Sequence, residues 1–316
     1  MFFVFLLYAL FASVFTVSKQ ALVYAQPFFL VGIRMALAGL FMLAYQYFKN
    51  PNSLKISRDS VAKVVRLAIF NIYLTNVFEF WGLQYLTSFK TCFIYSLSPF
   101  ISVLLSYLIF TEKMTLKKWL GLIIGFAGFI PVLMSQTTQE EQAGQLWIFS
   151  WAELAVVTAV ISSVYGWILL KQLVSQHNMP PILANGLSML IGGACALSHS
   201  LLTENWNPLP LTEFLPFFEC TLFLIIISNC ICYNLYGYLL KRFSATFMAF
   251  AGLTTALFSA LFGWFFHGEI PTLSFYLSFS IVLSGLFIFY QQELLAPSKS
   301  KREEAPSIGD LIPQQD

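Results

Sequence analysis

Ten stretches of roughly twenty apolar residues, separated by short polar breaks, leave this chain few ways to fold. They lie at approximately 2–18, 27–48, 65–85, 88–110, 118–135, 147–170, 180–202, 214–240, 244–266 and 271–290. A hydrocarbon core about 30 Å thick is crossed by about 20 helical residues. Lipid offers the backbone no hydrogen-bond partners, so such stretches become helices. The expected fold class is therefore all-α integral membrane, with ten transmembrane helices. Pro27, Asn50-Pro51-Asn52, Pro180-Pro181 and Pro208-Leu209-Pro210 mark breaks between them. Composition excludes the soluble alternative. Only 10% of the residues are charged and 58% are apolar, against about 25% charged in soluble domains. A soluble fold would leave large apolar patches in water. Met1 to Phe15 lacks a basic leader and a small-residue cleavage site, so it is read as a retained first helix rather than a signal peptide.

The few charges fix an orientation. With the N-terminus in the cytoplasm, the inside loops hold Lys49, Lys55, Arg58, Lys63, Lys113, Lys117, Lys118, Lys171, Lys241 and Arg242. The outside loops hold Lys19 alone among the basic residues, with Glu140, Glu141, Glu204 and Glu213. Positive charge gathers on the cytoplasmic side of membrane proteins, so both termini are expected there, in a multi-pass protein of the cell inner (cytoplasmic) membrane. The polar segment 297–316 reads as a disordered cytoplasmic tail. A net charge of +2 leaves no basic stripe for nucleic acid. Cys92, Cys195, Cys220, Cys230 and Cys232 all fall in apolar runs. They read as small packing residues rather than metal ligands.

The chain also repeats itself. Ser13-Val14-Phe15 followed by Lys19-Gln20 resembles Ser163-Val164-Tyr165 followed by Lys171-Gln172, and the spacing of Glu112 to Gly128 recurs in Glu269 to Gly285. Residues 1–140 and 145–290 thus form two expected units of five helices. Five is odd, so the halves lie inverted in the membrane, a construction that recurs in secondary carriers. The run Ser98-Pro99-Phe100, then Glu112, then Trp119, Gly121, Gly125, Ala127 and Gly128 resembles the drug/metabolite transporter superfamily in its EamA-type branch. His267-Gly268-Glu269 and Ser284-Gly285 echo it more weakly, with Ala256 where the helix-four proline would stand. The resemblance implies alternating-access transport of a small organic solute and covers the chain to about residue 290.

Charges within apolar runs point to a site, because each costs about 2.5–3.5 kcal/mol at mid-membrane on insertion scales. Arg34 and Glu79 lie about seven residues from the outer ends of helices two and three, roughly 10 Å deep in each case. They are expected to form an ion pair on the cavity side. Asn71, Thr75 and Glu79 are spaced by four and share a helical face. Aligning the halves sets Asn234 opposite Glu79, accompanied by Asn229, Tyr233 and Tyr236. Tyr95 and Trp167 are the remaining cavity aromatics. The candidate substrate-binding set is Arg34, Glu79, Asn71, Thr75, Tyr95, Trp167, Tyr233, Asn234 and Tyr236. Lys90 is expected to snorkel to the interface, and Glu153 and Glu219 to reach outer water. Gly125, Gly128, Gly192 and Gly193 read as close-packing positions. His177, His199 and His267 are isolated and make no metal site, and no GxxxxGK[ST] loop offers ATP a seat. No cofactor is expected.

Three classes of function compete. An integral membrane transferase would gather His, Asp or metal ligands near one interface, and here those residues are scattered. A scaffold or sensor would carry a further soluble domain. A carrier fits, and no enzymatic activity is expected. A guanidinium suits a carboxylate, carboxylates suit a cation, and aromatic rings suit a flat ring or onium group. A zwitterionic amino acid derivative has all three. The family resemblance adds S-adenosylmethionine, exchanged for S-adenosylhomocysteine, as the expected solute, with export of amino acids or of a drug-like amine as the alternative.

Overall fold

The computed structural model describes residues 2–51, 58–110, 115–133, 138–147, 149–243, 245–267 and 273–295. Glu112, Glu269 and the polar tail lie outside the described residues. Among those described, eight helices are long and apolar enough to cross a membrane. They are α1 (Phe2–Tyr24), α2 (Pro27–Lys49), α3 (Ser60–Leu83), α4 (Ser88–Leu105), α6 (Trp151–Ser175), α7 (Pro181–Thr203), α8 (Phe214–Leu239) and α9 (Phe247–Phe266). Two shorter apolar helices, α5 (Trp119–Val132) and α10 (Leu273–Ile288), occupy the fifth and tenth apolar runs. Large apolar side chains such as Phe48, Leu202 and Phe265 face outward, as lipid-facing positions require.

Among the interrupted helices, α3, α4 and α8 bear on the site. Pro99 has no N–H to give the carbonyl of Tyr95, and α4 breaks there into Ser88–Tyr95 and Ser98–Phe110. The Ser98 hydroxyl donates to that carbonyl instead, at 2.6 Å. In α3 the segment Ala68–Leu74 is a π-helix, and Thr75–Leu83 returns to α geometry. In α8 the segment Leu224–Cys232 is again π, and Tyr233–Leu239 returns.

Small residues bring helices distant in sequence together. A Cβ on Gly193 of α7 would lie 2.6 Å from the backbone nitrogen of Ala36 on α2. One on Gly285 of α10 would lie 2.5 Å from the nitrogen of Gly125 on α5. Backbones this close leave no room for any side chain, which is how small residues join membrane helices. Around these pairs α6 packs against α3 and α4, while α1 packs against α8 and α9. Glu204, just past α7, accepts hydrogen bonds from the nitrogens of Phe28 and Phe29 at 2.7 and 2.8 Å. It thereby satisfies two of the donors that open α2. Ser150 caps α6 in a reciprocal box with Glu153. Before it, Gln145–Leu146 pairs antiparallel with Phe149–Ser150.

Candidate functional site

A cavity of about 950 Å3, its open mouth included, lies among α1, α2, α3, α4, α6, α8 and α9. Arg34, Thr75, Glu79, Tyr95, Trp167, Tyr233 and Tyr236 line it. The structure therefore brings together seven of the nine candidate residues, from five helices.

Arg34 is 1% exposed. Its Nη2 donates to Asn76 Oδ1 at 2.6 Å, and its guanidinium lies over the Phe80 ring, 4.6 Å from the centroid. Among the described residues, its Nε and Nη1 have no hydrogen-bond partner. Glu79 accepts from the Tyr95 hydroxyl. No ion pair joins Arg34 to Glu79 among the described residues, contrary to the expectation from their equal depth. The reason lies on α3 itself. Asn76, a turn before Glu79, meets the guanidinium first, and Glu79 turns to the phenol of α4. The two charges face one cavity without neutralising one another directly.

An aromatic wall completes the site. Trp167 stacks on Tyr236 with centroids 4.0 Å apart, and lies 5.2 Å from Tyr233. Phe11 meets both tyrosines edge-on, and Phe15 meets Tyr95. Hydroxyl side chains of Ser98, Ser102, Ser163, Ser228 and Thr255 line other parts of the cavity. Small polar residues of this kind are common in membrane helices, so nothing in the sequence singled them out. Asn76 was also missed, although it contacts Arg34.

Two candidates stand elsewhere. Asn71 is buried against α6, where a Cβ on Gly166 would come within 2.3 Å of the Asn71 Cβ. A spacing of four keeps residues on one face only at α-helical pitch, and the π segment widens the turn that separates Asn71 from Thr75. Asn234 lies beside the cavity and braces α7, its Oδ1 accepting from Asn185 Nδ2 at 3.1 Å. Asn76 of α3 and Asn234 of α8 make the same kind of contact with their own backbones. Asn76 Nδ2 donates to the carbonyls of Ile72 and Asn71, four and five residues back, at 2.8 and 3.4 Å. Asn234 Nδ2 donates to those of Cys230 and Asn229, again four and five back, at 2.9 and 3.4 Å.

Lys90 does not snorkel. It is 3% exposed, and its Nζ lies 2.6 Å from Glu140 Oε2 and 2.8 Å from Glu153 Oε1. Glu140 and Glu153 are themselves fully buried, so Glu153 does not reach water. The sequence reading failed because Glu140 sits in a connecting segment some fifty residues away and folds back over α4 and α6. Glu219 is exposed. His177 meets Lys63, and His199 stacks on Phe28. Among the described residues, no group of three His, Cys, Asp or Glu side chains is placed to hold a metal.

Known proteins bear on this arrangement. The profile of the EamA-like transporter family matches the chain twice, over residues 1–134 and 150–291. A S-adenosylmethionine/S-adenosylhomocysteine transporter of Chlamydia muridarum (strain MoPn / Nigg) is 39% identical over 295 residues, covering 92% of each chain. A protein of the same name from Chlamydia trachomatis serovar L2 is 38% identical, covering 92% of this chain and 89% of its own. A crystal structure at 16% identity superposes with a TM-score of 0.65 over 96% of this chain and 97% of its own, and shares its fold.

Proposed function

The chain belongs to the EamA-like transporter family, and we propose that it carries S-adenosylmethionine across the cytoplasmic membrane in exchange for S-adenosylhomocysteine. One observation carries the choice of solute. Among the described residues, a buried guanidinium whose Nε and Nη1 have no hydrogen-bond partner, the Glu79 carboxylate and an aromatic wall line one cavity. The solute has an α-carboxylate for the first, ammonium and sulfonium centres for the second, and an adenine ring that suits the third, since onium groups and flat rings both sit well on aromatic faces. The names of the chlamydial relatives, 39% and 38% identical, agree with this reading.

The proposal includes ten spans in two inverted halves, residues 1–140 and 145–290, with both termini and the tail 297–316 in the cytoplasm. The double family match supports the halves, as does the recurrence of a π segment in α3 and in α8. The segregation of Lys and Arg supports the orientation. The site proposed is Arg34, Glu79, Thr75, Tyr95, Trp167, Tyr233 and Tyr236, with Asn71 and Asn234 as supports of the helices that carry it.

Counterflow in proteoliposomes tests the solute. Vesicles loaded with S-adenosylhomocysteine are expected to take up labelled S-adenosylmethionine, and empty vesicles far less. Flux driven by a sugar phosphate or a neutral solute, with none from either adenosyl compound, would refute the assignment.

A further inference from the structure

The two asparagines that close the π segments solve the same backbone problem, and only one of them touches a charge. In a π-helix each N–H bonds the carbonyl five residues back. On return to α geometry, where the step is four, one carbonyl is passed over. The Thr75 nitrogen bonds Phe70, five back, and that of Tyr233 bonds Ser228, five back. The carbonyls passed over next are those of Asn71 and Asn229, which the amides of Asn76 and Asn234 cover. The sequence shows the device as Asn71-x4-Asn76 and Asn229-x4-Asn234.

With Nδ2 committed to its own backbone, each asparagine has one orientation, and its Oδ1 points in one direction. In α8 that oxygen receives Asn185, a neutral brace to α7. In α3 it receives Arg34 Nη2 at 2.6 Å. Nε and Nη1, without a partner among the described residues, lie on a buried side chain that lines the cavity. Asn76 takes one hydrogen of Nη2, and the second Nη2 hydrogen stays beside either the Nε–H or an Nη1 hydrogen, the two-donor geometry that pairs with a carboxylate through parallel hydrogen bonds.

We infer that Asn76, locked by the π segment of α3, is a positioning residue that presents Arg34 to the solute's carboxylate and so sets the preference for carboxylate-bearing solutes. The inference rests on the solute reading above. It goes beyond that reading in assigning the selectivity to Asn76, which also lines the cavity, through its hold on Arg34.

The test uses two ligands that differ in one group, S-adenosylmethionine and its decarboxylated counterpart. Each competes against labelled S-adenosylmethionine in proteoliposomes of wild type, Asn76→Ala and Asn76→Asp. Wild type is expected to favour the carboxylate-bearing ligand by about tenfold or more, the usual effect of hydrogen bonds to a charged group. Asn76→Ala is expected to lose most of that preference through weaker binding of S-adenosylmethionine, with affinity for the decarboxylated ligand unchanged. Asn76→Asp keeps the side-chain shape should the alanine variant fail to fold. Its carboxylate would occupy Arg34, so the preference falls there as well. If Asn76 serves only the helix, both ligands weaken together, or a folded variant keeps the wild-type preference. Either result overturns the inference while leaving the solute assignment standing. A wild-type protein that binds neither ligand removes the solute assignment and this inference with it.

Discussion

Arg34 and Glu79 are the two residues for which sequence and structure agree on place and differ on partner. A charge inside an apolar run is conspicuous, and its depth follows from counting residues, so the sequence placed both at one level. It could not show that Asn76 and Tyr95 would intervene, because those contacts depend on how α3 is rotated and on where α4 breaks at Pro99. The separation changes what mutants should do. In a direct ion pair, removing both partners relieves the unpaired charge that removing one would leave. Here each charge has its own neutral partner, so Arg34→Gln and Glu79→Gln are expected to act separately. Each should weaken uptake of S-adenosylmethionine by about tenfold or more, and the double variant should lose about the product of the two. A double variant restored toward wild-type transport would show that the pair is direct after all. The same uptake series distinguishes the roles. Glu79→Gln should weaken the sulfonium-bearing solute more than S-adenosylhomocysteine, which lacks that charge.

At the scale of elements, helix existence was legible and helix rotation was not. Apolar run length gives the first, and it gave the edges of α2, α7 and α8 to within a few residues. Rotation depends on pitch, and reading Asn71, Thr75 and Glu79 as one stripe assumed a pitch that the π segment does not have. The Asn-x4-Asn pairs escape a reading at α-helical pitch, since five is not an α-helical repeat. Lys90 was misread for a different cause. Its partners come from the segment before α6 and from the first turn of α6, and neither is near it in sequence. That ion triad ties α4 to α6 with every member buried. Lys90→Met would leave two carboxylates without their cation in a dry place, a change that typically costs 3–5 kcal/mol. The expected result is a large fall in the yield and melting temperature of detergent-solubilised protein. Normal yield and melting temperature would show the triad to be dispensable for folding.

On the scale of the whole molecule, the distribution of Lys and Arg makes a prediction that the packing alone does not. Reporter fusions after residues 55, 115 and 305 should report cytoplasm, and fusions near 140 and 205 the opposite side. An external signal at 115 would overturn the topology and, with it, the inverted halves. The proposed halves share a frame, yet they are unequal in what they hold. The asparagine that closes the π segment in α3 grips an arginine, and its counterpart in α8 grips another amide. In the proposed reading, a cargo whose carboxylate is moored to α2 and α3 has one berth and one heading. When the doorway moves from one face of the membrane to the other, the cargo need not somersault: it leaves with the same end foremost in the frame as when it came in, and only the surroundings change sides.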